Sequence, residues 1–148
     1  MNNLQNQAIA NFRSGLNCAQ SVLEPFAEKY GIDQETASRI SCGFGAGMGR
    51  LQETCGAVTG SFMVISLHVC EKFPGNKERK ESSYALIREF DNQFKEKHGT
   101  CRCADLLNID LKTPEGQQAF HDQHMNETIC EKCIADAVAI VEDLTQEG

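Results

Sequence analysis

The sequence predicts an all-α protein: a compact, single-domain helical bundle of about six or seven helices over residues 1–148, with a glycine-rich loop inside it. Three observations carry that reading. Apolar residues recur at helical spacing along most of the chain. No period-2 alternation is long enough for a sheet. Helix caps and stops fall between the periodic segments. A chain of 148 residues fits one domain and is long enough to bury a real core.

Each element follows from its own residues. Leu4, Ala8, Ile9 and Phe12 mark a first helix over 4–13. Asn17 caps a second, from Cys18 to about Tyr30, with Gly31 as its stop and Pro25 as a kink or break within it. Asp33 caps a short third helix with Ala37 and Ile40 on its inner face. The segment CGFGAGMGR (42–50) cannot be regular helix, because four glycines in seven residues cost too much backbone entropy. A fourth helix runs from about Gln52 to Lys72 and ends at Pro74-Gly75. A fifth covers 77–97 with Tyr84, Leu86, Ile87, Phe90 and Phe94 as its apolar residues. After the loop GTCRCADLL, Thr113-Pro114-Glu115 opens a sixth, with Thr as cap and Pro in the first position. The last runs from about Glu127 to Leu144 and turns Ile129, Cys133, Ala137, Ile140 and Val141 inward.

Composition narrows the function classes. The net charge of −7 and the lack of a basic patch argue against a nucleic-acid partner: Lys77, Arg79 and Lys80 are flanked by Glu78 and Glu81. The longest apolar-leaning stretch, 55–70, is shorter than the roughly 20 residues of a membrane span, and Thr59, Ser61, Ser66 and His68 interrupt it. No membrane insertion is expected. The start, MNNLQNQAIANFRSG, has neither the basic head nor the apolar run of an export signal, so a cytoplasmic location is expected. Eight cysteines in such a chain then point to redox chemistry or metal binding rather than to a disulfide framework.

Among the cysteines, Cys55 is the best single candidate. It lies in the expected first turn of the fourth helix, where free N–H groups and the dipole favour a thiolate, and Arg50 is near enough in sequence to add to this. Gly56 and Gly60, one turn apart, read as a device for close helix packing. Cys70, late on the same helix, reads as a small core residue. GFGAGMG lacks the dinucleotide fingerprint, a preceding strand and the Lys-Ser/Thr of a P-loop, so nucleotide binding is not expected. The pairs Cys101-x-Cys103 and Cys130-x-x-Cys133 allow a four-thiolate zinc or iron–sulfur site. Cys18 and Cys55 are further potential ligands, and His121 and His124 read as solvent-facing.

Three segments carry a resemblance. Asn17-Cys18-Ala19-Gln20-Ser21, GFGAGMGR and Cys55-Gly56-Ala57-Val58-Thr59-Gly60 resemble the C_GCAxxG_C_C family of redox-active proteins. The resemblance covers nearly the whole chain, and 17–62 carries most of its specificity. It implies a small, soluble, mostly helical prokaryotic-type protein with a thiol redox function, often found beside transport genes. The family's four cysteines fall on Cys18, Cys55, Cys103 and Cys130, while Cys42, Cys70, Cys101 and Cys133 are additional. The expectation is a thiol–disulfide protein in which Cys55 attacks a disulfide or an oxidant and Cys18 is the most economical resolving thiol, with all three pairings of the four cysteines open. The alternatives are a metal or iron–sulfur protein and a non-catalytic accessory protein of a transport system. An unidentified redox protein partner is expected, and a homo-oligomer is left open.

Overall fold

A computed structural model describes residues 1–146. Among them are eight right-handed α-helices and no strand: α1 (Asn3–Arg13), α2 (Cys18–Ala27), α3 (Gln34–Ser41), α4 (Gly56–Lys72), α5 (Asn76–His98), α6 (Cys103–Leu107), α7 (Pro114–Asp122) and α8 (Glu131–Leu144). One isolated bridge pairs Thr54 with Arg102. The all-α bundle is the expected architecture.

The caps at Asn17, Asp33 and Thr113 fall where the sequence places them, and Asn2 supplies one that was not expected. Asn2 and Asn17 each accept from the backbone N–H three residues on, and Gln5 and Gln20 close the capping box in return. Asp33 and Thr113 cap α3 and α7 with a single side-chain bond. Pro25 does not break α2. The helix passes through it and tightens into a 3₁₀ turn, Glu28–Tyr30, before Gly31 ends it in the left-handed conformation.

Helix α4 is the centre of the molecule. It buries every residue of its first turns, from Gly56 to Ser61, and then the face that carries Val64, Ile65, His68 and Val69, while Ser66 on the other face is exposed. α2, α5 and α8 pack around it, joining Val22 and Phe26, Phe90 and Phe94, and Ile134, Val138 and Val141 to one core. Phe62 meets Phe90 edge-on, their centroids 5.7 Å apart. The apolar stretch of 55–70 is thus a buried helix, and no helix among the described residues is long and apolar enough to cross a membrane.

Several boundaries differ from expectation. The fourth helix starts at Gly56 rather than near Gln52, because residues 46–52 are held in left-handed or extended backbone by bonds to another loop. Cys103–Leu107 form a short helix where a plain loop was expected. The last helix is entered through a π turn, Asn126–Cys130. Ile40 is 53% exposed, because the inward face of α3 is the Ala37/Ser41 row and Ile40 lies off it. Tyr84 is also exposed, on the part of α5 that extends past the core.

Candidate functional site

The two sequence motifs pack directly on each other. In NCAQ, Asn17 and Gln20 form the capping box, which leaves Cys18 at the first helical position and Ala19 fully buried. In CGAVTG, Cys55 is the N-cap of α4. A Cβ on Gly56 would lie 2.9 Å from Cβ of Cys18, and one on Gly60 would lie 2.8 Å from the carbonyl oxygen of Ala19. The glycines therefore let α4 lie backbone to backbone on α2, and this contact brings Cys18 beside Cys55.

The glycine-rich loop supplies another wall. Ala46, Gly47, Met48, Gly49 and Arg50 have φ of 55°, 67°, 68°, 63° and 65°, which makes one turn of left-handed helix. Gln52, at 57°, follows. Left-handed backbone costs a residue with a Cβ about 1–2 kcal/mol, so surrounding bonds must hold it. They come largely from the segment around Cys101 to Leu111. The buried Gln52 side chain donates to the carbonyl of Ile109 and accepts from the Leu111 N–H, both at 2.8 Å. The backbone N–H of Cys103 donates to Glu53, that of Ala104 to Gln52, and that of Cys55 to Cys101.

Between these walls lies a cavity of about 320 Å³. Cys18, Cys55, Cys103, Cys130 and Cys133 all line it, together with Phe12, Leu106, Leu111, Phe120 and Ile129. Thus the four cysteines expected at the site reach one space, and Cys133 joins them. The π turn ends at Cys130, and Cys133 follows in the first turn of α8, so both reach the cavity. Cys101 is buried outside it, where its thiol donates to Oδ1 of Asp91 at 3.2 Å. Cys42 is exposed and Cys70 half-buried beside a separate shallow groove. His121 and His124 are exposed.

The thiols sort into two pairs. The neighbouring Cys133 thiol, and after it the helix-end N–H groups of Ala57 and Val58, favour the charged form of Cys55 and lower its pKa below the ordinary 9.0 against the opposing effect of burial. Donating to Cys55, along with burial, holds Cys133 protonated, its pKa raised. Likewise Cys18 donates to Cys130 and is raised well above its ordinary value, first by that bond and then by burial. Burial pushes Cys103 up to about 12, and burial and then Asp91 push Cys101 to about 12. Arg50 is not among the groups that act on Cys55; the thiol and helix-end donors do what the sequence assigned in part to that cation.

Cys133 as the immediate neighbour of Cys55 was missed. Its inward position on the last helix was the available signal, and family position favoured Cys130 instead. Among the described residues, no group of three or more His, Cys, Asp or Glu side chains is arranged to hold a metal ion.

With two motifs interlocked and five thiols on one cavity, comparison with known families decides the assignment. Residues 16–144 match the family model described as "Putative redox-active protein (C_GCAxxG_C_C)". The chain belongs to this family. No curated protein and no solved structure matches it significantly. Family membership makes the chain one of a redox-active, cysteine-rich group, and its eight cysteines accord with that.

Proposed function

We propose that this C_GCAxxG_C_C family member is a thiol–disulfide redox protein whose nucleophile is Cys55 and whose resolving thiol is Cys133. The observation that carries the reading is the placement of Cys55. It is the N-cap of the central helix, at the wall of a cavity, beside the Cys133 thiol and the first N–H groups of that helix. Such donors favour the thiolate, which is the nucleophilic form. In the expected step the Cys55 thiolate attacks one sulfur of a disulfide, forming a mixed disulfide and expelling the other sulfur as thiolate. Cys133 then attacks the Cys55 sulfur. The Cys55–Cys133 bond forms, the second thiolate leaves, and the Cys133 proton goes to a departing sulfur. Two electrons have passed to the substrate, and a dithiol reductant returns the protein to its starting state. Cys18 and Cys130 form a second pair in the same cavity and, with Cys103, stay candidates for passing the disulfide on.

Mapping tests this directly. A fully reduced sample is titrated with a disulfide, alkylated and digested, and the bridges are identified by mass spectrometry. A Cys55–Cys133 bridge should appear first, and Cys55→Ser should prevent it while leaving Cys42 and Cys70 reactive. The reading is overturned if Cys55 reacts no faster than Cys103 with iodoacetamide, or if the anaerobic protein carries stoichiometric metal bound through these thiols.

A further inference from the structure

We infer that the cavity takes a low-molecular-weight anionic disulfide with an apolar body, rather than a disulfide on the surface of a folded protein. The inference rests on the thiol–disulfide reading above and adds the substrate class to it.

Size and access argue for a small molecule. At about 320 Å³ the cavity lies near the lower end of small-ligand pockets, roughly 300–1,000 Å³. Cys55 is 7% exposed and Cys133 only 2%. A folded partner cannot bring its backbone down to a sulfur so enclosed without opening the walls. Those walls are fixed: one is the backbone contact of α2 with α4, and the other is the loop tied down by Gln52.

Charge argues for an anion. The protein carries −7 overall, yet no Asp or Glu lines the cavity. Its one charged lining residue is Arg50, which is exposed and makes no ion pair among the described residues. The cationic groups nearest in kind are engaged elsewhere, Arg13 with Glu131 and Arg102 with Glu53 and Asp105. The N-termini of α2 and α4 also open on the cavity at Asn17 and Cys55. Phe12, Leu106, Leu111, Phe120 and Ile129 offer an apolar surface to the rest of the molecule, while Asn17, Gln117 and Asn126 supply the polar groups. An unpaired guanidinium at an otherwise uncharged apolar site selects a carboxylate-bearing substrate.

Three aliphatic disulfides differ in charge: dithiodibutyrate (anionic), bis(hydroxyethyl) disulfide (neutral) and cystamine (cationic), and every rate is divided by that of the same disulfide with free 2-mercaptoethanol, which removes the difference in leaving-thiol reactivity. A cyclic peptide with one internal disulfide stands for the larger substrate. The reduced protein is mixed with each, and oxidation of Cys55 is followed by quenching and mass spectrometry. Dithiodibutyrate should react fastest, cystamine slowest among the three small compounds, and the peptide slower than dithiodibutyrate. In Arg50→Gln the ratio of the dithiodibutyrate to the cystamine rate should fall about fivefold, the weight of one partly exposed charge pair. Raising salt on the native protein should reduce the same ratio, which serves as the readout should the variant not fold. Equal rates for the three compounds, or a peptide rate matching that of dithiodibutyrate, overturns the substrate class and leaves the redox reading standing. Failure of every disulfide to oxidise Cys55 overturns the redox reading itself.

Discussion

The cavity has two kinds of wall, and they are built on opposite principles. On one side α2, α4 and α8 present Cys18, Cys130 and Cys133 from regular helix and a single π turn, positioned by the close approach of Gly56 and Gly60 to α2. On the other, residues 46–55 and 101–111 present Arg50 and Cys103 from backbone that is left-handed at Ala46, Met48, Arg50 and Gln52. The helical wall is held by shape, and a small misfit can be spread along a helix. The loop wall is held by specific hydrogen bonds against local strain, so it yields abruptly when one is lost. Cys55 sits where the two meet: its N–H bonds to Cys101 in the loop wall, while its carbonyl starts α4. The reactive thiol thus inherits its position from both.

This contrast orders the effects of substitution. Gly47→Ala should be the most damaging, because its Cβ would lie 2.5 Å from Cα of Gln52 in a left-handed residue. Left-handed strain and overpacking together come to about 2–5 kcal/mol. Gly49→Ala is the matched control, with φ of 63° and nothing within 4 Å of the added carbon, so only about 1–2 kcal/mol is expected. Urea unfolding of both variants measures the difference, and equal losses would mean that the loop is less constrained than its bonds imply. Gln52→Ala comes next. It orphans the Ile109 carbonyl and the Leu111 N–H, at a cost of about 2–4 kcal/mol. On the helical wall Gly60→Ala should cost about 1–3 kcal/mol, as α4 shifts away from the Ala19 carbonyl. A Gly60→Ala loss larger than that of Gly47→Ala would reverse the proposed order of the walls.

The same division separates what could be read from the sequence. The helical wall was legible because its determinants are local. Asn17 reads as a helix cap, and Gly56 and Gly60 lie on one helix face. The loop wall was legible only as an interruption. Four glycines in seven residues rule out regular helix, but nothing local marks Ala46, Met48, Arg50 or Gln52 as left-handed. That conformation is imposed by a segment some fifty residues away. The start of α4 at Gly56 follows from the same long-range bonds. The thiol partners are a third case. Cys133 was visible as an inward residue, yet its contact with Cys55 depends on how α8 crosses α4, and so Cys18 was the expected neighbour.

The smallest effects should come from protonation, and Cys55 differs in sign from the thiols of the loop wall. Cys55 has a folded-state pKa below its ordinary 9.0, chiefly through the Cys133 donor. Its iodoacetamide rate should therefore rise with pH and level off before that of an ordinary thiol. Cys133→Ala removes one donor to the sulfur, shifts that rise to higher pH and slows the reaction at pH 7 by about threefold or more. Cys133→Ser keeps a donor and should retain most of the rate. The stability contribution of Cys55 is present above the ordinary thiol pKa and is lost as pH falls through its lowered folded value. Cys101 and Cys103, pushed up to about 12, behave in the reverse sense: their contribution is intact below pH 9 and is lost as pH rises from 9.0 to about 12. A Tm profile should thus decline on the alkaline side, and Cys101→Ala and Cys103→Ala should each flatten that decline. An alkaline limb unchanged in both variants would mean that the loop-wall thiols are not held protonated by their burial.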